Sequence, residues 1–346
     1  MVNEEGERPT VRGPLDELWT NLLSPFFGIQ PRHDSPNSSE KPLRSAEHEL
    51  LEDSLRELIG KQHYNACRLK ESVQSCDEEA PLPFTTPSRV CQLESWDCGI
   101  ACIMMILRWI QNSLDPSLDR LPVGTSAAMS DQEAQTYRNL RDAIHTQSIW
   151  TADLVLQLEG LLRNSNTRYL FCSTTFQVEQ DYRNVSYYRA AFGRDEQRVT
   201  SIFSKLHADP STNLFCAPQG IPLDVILNAV CHSNCMALVL VDNAVLRNRS
   251  DDSMTYYVGH YVLLCGLSRD PKHLAQAQAL ESNSIDANNN QDRSERLCVV
   301  LCDPGQHRPS LSFVTPKRFE RARRAKGTDE DIIFFAKSMG KVETIE

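Results

Sequence analysis

Residues 92–99 read Gln-Leu-Glu-Ser-Trp-Asp-Cys-Gly, and residues 100–107 continue as Ile-Ala-Cys-Ile-Met-Met-Ile-Leu. The second stretch is apolar on most sides, which predicts a largely buried helix over 98–111 that opens at Cys98. A helix N-terminus presents unpaired backbone N–H groups and a partial positive charge, and both stabilise a thiolate. Gly99 leaves room for a substrate to come close to the thiol. Gln92 lies upstream on the incoming loop, where its side-chain amide is a candidate donor to an oxyanion formed beside Cys98.

A thiol nucleophile needs a base and a group that holds the base. His260 stands near the start of the run Gly-His-Tyr-Val-Leu-Leu-Cys-Gly at 259–266, and Asp303 closes Cys-Val-Val-Leu-Cys-Asp at 298–303. Both runs read as strands. If they pair as antiparallel neighbours, the start of one lies beside the end of the other, and His260 meets Asp303. Each residue alone has a plainer reading. A cysteine at a helix start is usually a small buried hydrophobe, a histidine before a strand is usually hydrogen-bonded core, and Asp-Pro-Gly is usually a turn. The specific signal is the combination, in the chain order Cys98, His260, Asp303. Trp96 and Trp150 join Gly99 as candidates for lining a substrate groove, against the default of buried aromatics.

The chain has 346 residues, 40% apolar and 24% charged, enough for one large domain or two small ones with a sizeable core. A net charge of -10 argues against a nucleic-acid groove or a polybasic membrane patch. No apolar run reaches the roughly 18 residues that span a bilayer, and the acidic N-terminus lacks the apolar stretch of a secretory signal. The expected setting is therefore cytoplasmic, with the nucleus as an alternative. There the twelve cysteines are expected as reduced thiols. Cys98 and Cys102 fall on one side of a helix, with Cys102 expected as packing. Cys298 and Cys302 share a strand face. Cys231-His232-Ser233-Asn234-Cys235 is too loosely spaced for a metal hook, so no metal site is expected.

Residues 1–87 read as a largely disordered extension with a possible amphipathic helix at 45–75, and a domain over 88–340 follows. Polar segments at 113–140 and 270–296 read as insertions, the second of low complexity. Helices are expected at 150–163 with Thr151 as N-cap, at 196–207 and at 222–232. Strands are expected at 168–173, 236–242, 258–267, 297–303 and 332–336. Helices early and strands late make an α+β domain, in which the helix carrying Cys98 packs on an antiparallel sheet.

The block Gln-Leu-Glu-Ser-Trp-Asp-Cys-Gly-Ile-Ala-Cys resembles the cysteine box of C39-type, papain-like peptidases. Over residues 88–336 the chain also resembles the guanylyl cyclase domain-containing family, which includes plant soluble guanylyl cyclase-like proteins. The matching stretches are Trp96-Asp97-Cys98-Gly99, Ser148-Ile149-Trp150-Thr151, Tyr182-Arg183-Asn184 with Ser186-Tyr187-Tyr188-Arg189, Gly259-His260-Tyr261, Asp303-Pro304-Gly305 and Gly327-Thr328-Asp329-Glu330-Asp331-Ile332. The peptidase resemblance implies a papain-like fold and a hydrolase of peptide or isopeptide bonds. In it Cys98 is the nucleophile, His260 the base, Asp303 its orienter and Gln92 the oxyanion donor, with a peptide or protein substrate and no cofactor. The family name implies instead a lyase that makes cyclic GMP from GTP with Mg²⁺. That chemistry needs carboxylates and phosphate contacts. Asp242, Asp303 and Asp329-Glu330-Asp331 are the available carboxylates, and Arg318 to Lys326 is the available basic run. Two strand ends, a solvated turn and a basic helix face explain the same residues. A third reading, from a different class, is a non-catalytic interaction module on a peptidase fold.

Overall fold

The computed structural model describes residues 46–60, 64, 82, 84–112, 128–163, 165, 167–178, 180–184, 189, 192–232, 234–247, 257–282, 296–305 and 311–337. In chain order these hold α1 (Ala46–Ile59), α2 (Cys98–Asn112), α3 (Asp131–Ile144), α4 (Thr151–Leu162), β1 (Thr167–Ser173) and a 3₁₀ turn at Gln180–Asn184. Next come α5 (Phe192–Ala208), β2 (Leu214–Cys216), α6 (Leu223–Val230), β3 (Cys235–Asp242), α7 (Asn243–Leu246), β4 (Gly259–Ser268) and α8 (Pro271–Ser282). The described chain closes with β5 (Cys298–Cys302), β6 (Leu311–Val314), α9 (Pro316–Arg323) and β7 (Ile332–Lys337).

The strands form one seven-stranded sheet in the order β2-β1-β7-β3-β4-β5-β6. All neighbours are antiparallel except β1 and β2, which run parallel, so the α+β class holds but the sheet is mixed and not wholly antiparallel. Helix α5 lies between β1 and β2 in the chain, and a helical crossover of that length is what a parallel neighbour requires.

The central strands are apolar without alternation because both sheet faces are covered. Parity sorts the side chains. Met236, Leu238, Leu240, Tyr261, Leu263, Ile333 and Phe335 join the core under α2, α4 and α5. Ala237, Val239, Val241, Val262, Leu264, Ile332 and Phe334 join the core on the opposite face, with α1, α6 and α9. A bulge between Leu264 and Gly266 shifts the register of β4 against β5, and Leu267 thereby joins the second face.

Three expectations change. Residues 131–144 of the polar segment 113–140 and its flank are helical, capped by a reciprocal pair between Ser130 and Glu133. Only Tyr137, Leu140 and Ile144 of that helix face the core, which leaves its composition polar. Residues 271–282 of the segment 270–296 are likewise helical, in keeping with their Ala, Gln and Leu content. The N-cap of α4 is Trp150, not Thr151. The Asp153 carboxylate accepts the Trp150 N–H at 2.9 Å, and the Thr151 hydroxyl bonds Tyr261 Oη at 3.0 Å.

Of the segment 45–75, α1 ends at Ile59 before Gly60, whose φ of 98° ends the helix. It buries Leu51, Leu55, Leu58 and Ile59 against β1, β7 and α6, so the core reaches back before residue 88. Residues 1–45, 65–81, 113–127 and 283–295 lie outside the described residues, and with them the rest of the helix expected over 45–75. No described helix is long and apolar enough to cross a membrane.

Candidate functional site

Helix α2 begins at Cys98 because Asp97 ends the incoming loop there. The Asp97 carbonyl accepts the first helical bond from Ala101 at 3.1 Å, and its carboxylate accepts the Glu94 N–H at 3.0 Å. Burial pushes the Asp97 carboxyl up. The apolar run that follows, Ile100 to Ile106, is buried throughout and seats α2 against β4. Two thiols of the helix then bracket one β4 residue. The Tyr261 N–H points at Cys98 Sγ at 3.5 Å, and Cys102 Sγ–H points at the Tyr261 carbonyl at 3.5 Å. Cys98 is buried apart from a 5% sliver of exposure, which faces a cleft.

The antiparallel pairing of β4 with β5 puts Leu263 opposite Cys302. The start of β4 thus lies beside the residue after β5, and His260 Nε2 stands 2.9 Å from Asp303 Oδ1. Burial alone would lower the His260 pKa, but Cys98 and Asp303 outweigh it and raise it to about 9. Asp303 is fully buried. Burial would raise its carboxyl, but the His260 hydrogen bond, the His260 and Arg247 charges and the Gly305 N–H hold it well below the usual carboxylate range. Arg247 donates to Asp303 Oδ2, and Arg89 donates to the carbonyls of Asp303, at 3.2 Å, and Gly305.

The structure brings His260 and Asp303 into contact, with Cys98 at the cleft and held beside the Tyr261 backbone. Gln92 is tied to the same turn, since its backbone N–H donates to the Pro304 carbonyl at 2.9 Å, but its side-chain amide donates to the Glu94 carbonyl at 2.7 Å on its own loop. Gly99 has a different reason from the one expected. A Cβ there would meet Leu154 Cδ1 at 2.8 Å and Tyr261 at 3.1 Å, so the glycine lets α2 close on α4 and β4. Trp96 and Trp150 do line the cleft that holds Cys98, together with Thr151, Tyr257 and Tyr261. Trp96 also carries the Arg141 guanidinium over its ring, 5.0 Å from the centroid.

The remaining motifs have mostly structural roles. Asp242 caps α7 by accepting the Ala244 N–H. Glu330 pairs with Arg323 and Arg324 and accepts the Ile221 N–H. Arg318 and Arg323, in the basic run, are fully buried and bonded to Glu281, Glu320 and Glu330, so neither is presented to a phosphate. Cys231 and Cys235 pack in the second core, and His232 stacks with Tyr64. Among the described residues no group of three or more His, Cys, Asp or Glu side chains is placed to hold a metal ion. Asp329 and Asp331 differ from these, because both line the cleft of Cys98. Tyr182 donates to the Asp329 carboxylate, and burial followed by the Asp329 charge raises the Asp331 carboxyl. Arg247 and Arg89 were not legible as site residues, since neither sits in a local pattern and only tertiary contacts bring them to Asp303.

A family model described as guanylylate cyclase matches residues 88–335. Guanylyl cyclase 1 of Arabidopsis thaliana is 25% identical over 251 residues, covering 70% of this chain and 72% of the plant protein. No solved structure matches the chain. The family match spans well over half of the sequence, and the chain belongs to the guanylylate cyclase family.

Proposed function

We propose that the chain is a thiol hydrolase of peptide or isopeptide bonds, built on a papain-like arrangement of α2 and the sheet. The observation that carries this reading is the contact of 2.9 Å between His260 and Asp303, with the Cys98 thiol held at the backbone N–H of the next residue, Tyr261. The Cys98 thiolate adds to the acyl carbon, and His260 gives a proton to the nitrogen as the carbon–nitrogen bond breaks. Water, its proton taken by His260, then cleaves the thioester and releases the acid. Asp303 holds the imidazole in its working tautomer. The Cys98 backbone N–H and the Gln92 amide, once turned from Glu94, are the donors for the oxyanion. The test is cleavage of a mixed peptide and isopeptide library, read by mass. Products that vanish in Cys98→Ala support the proposal, and products that persist in it overturn it.

A second reading, formation of cyclic GMP from GTP, is supported by the names of the family and of the plant relative, which favour it over the hydrolase. The local chemistry does not fit a Mg²⁺–GTP site. Mg²⁺ needs one or two carboxylates together with phosphate oxygens. Asp329 and Asp331 line the cleft and offer the carboxylates, so the misfit lies with the phosphates. No Arg or Lys stands among the described lining residues to meet the phosphates. Cyclic GMP made from GTP and Mg²⁺ by the Cys98→Ala protein would establish this reading over the first.

A further inference from the structure

We infer that Arg247 is a positioning residue of the thiol site: by holding one oxygen of Asp303, it sets how firmly the other oxygen retains the proton of His260. The inference rests on the thiol-hydrolase reading and names a control on its base.

The Asp303 carboxylate is completely buried, and its two oxygens are divided. Oδ1 accepts from His260 Nε2 at 2.9 Å and from the Gly305 N–H at 2.7 Å, while Oδ2 accepts from Arg247. Arg89 fixes the backbone of the same turn through the carbonyls of Asp303 and Gly305. The orientation of the carboxylate is therefore set from three sides, and Arg247 is the side that brings a permanent charge. Its side chain is only 17% exposed, so water screens that charge weakly. The charged and titratable groups gathered about His260 are Cys98 from α2, Asp303 after β5 and, through Asp303, Arg247 after α7 and Arg89 before α2.

An aspartate that serves histidine alone stabilises the imidazolium fully. An aspartate shared with a guanidinium stabilises it less, and the histidine gives up its proton more readily. This matters for a residue that must accept a proton from Cys98 or water and then return it. A purely structural Arg247–Asp303 pair would affect unfolding and leave the titration of His260 alone.

The test is an NMR titration of the His260 imidazole in the full chain, in wild type, Arg247→Gln and Arg247→Lys. Gln keeps a hydrogen-bond donor and removes the charge, and Lys keeps the charge. The expected result is a His260 midpoint at higher pH in Arg247→Gln, near the wild-type value in Arg247→Lys, and insensitive to Arg247→Gln when Asp303→Asn is already present. If Arg247→Gln does not fold, Arg247→Met takes its place as the uncharged variant, and the same higher midpoint is expected. A midpoint that stays put or falls in either experiment overturns the inference. The alkylation rate of Cys98, measured in parallel, reports on the thiol reading itself. A slow Cys98 with a moving His260 midpoint would sink the hydrolase and keep the coupling, and the reverse pattern would do the opposite.

Discussion

At the scale of single residues, the site is a set of opposed electrostatic effects with opposite pH signatures. His260 binds its proton more tightly in the folded chain, with its pKa moved from 6.5 to about 9. Its contribution to stability is therefore fully present below about pH 6.5 and is lost as pH rises through about 9. Asp303 is depressed, so its contribution is present above the ordinary aspartate range near 3.9 and is lost as pH falls through its folded value. The expected outcome is a fall in unfolding free energy between pH 6.5 and 9.5, of which about 2–3 kcal/mol is absent in His260→Ala, while the Asp331 part remains. Denaturant melts at matched salt would measure it. Asp331 has the same sign as His260, because burial and Asp329 favour its protonated form. Asp331→Asn is expected to raise the thermal midpoint at pH 8.5 and change it little at pH 4, and an equal shift at both values would refute the assignment. Three members of the site were legible in the sequence because each sits in a local pattern: Cys98 at a helix start, His260 at a strand start and Asp303 at a strand end. Arg247 was not, because its role exists only through a contact between distant segments.

At the scale of elements, apolar runs were read well and polar helices poorly. The helix carrying Cys98 and the strands at 235–242, 259–268, 298–302 and 332–337 lie close to where periodicity put them. Helices α3 and α8 fall in segments read as insertions, because each presents only a narrow apolar stripe or a short alanine-rich turn to the core. The basic run of α9 shows the converse error, in which composition suggests a ligand and packing assigns a strut. Arg318 is fully buried and bonds both oxygens of Glu281 and the carbonyls of Val245 and Leu280. Arg318→Met is expected to destabilise the fold by about 3 kcal/mol, since it removes a buried guanidinium that bonds both oxygens of Glu281 and two carbonyls. Chemical denaturation would read it, and a loss below about 0.5 kcal/mol would mean that the pair is dispensable.

At the scale of the whole molecule, the sheet is buried on both faces, and Cys98 belongs to the core under α2, α4 and α5. The opposite face needs α1, which precedes the segment matched by the family model. Leu55 is fully buried there, and Leu55→Ala is expected to cost about 2–5 kcal/mol, read by denaturant unfolding. A chain begun at residue 88 would lack this cover and is expected to unfold at lower denaturant. The mixed sheet order was not legible, because β2 is three residues long and its parallel partner is found only after α5 crosses over. The measurement that tests the central claim most directly is the rate of iodoacetamide labelling of Cys98 against pH, mapped by residue, in wild type and His260→Ala. The account predicts fast labelling of Cys98 below pH 7 that the histidine change removes. Labelling no faster than an ordinary thiol in both proteins would contradict it.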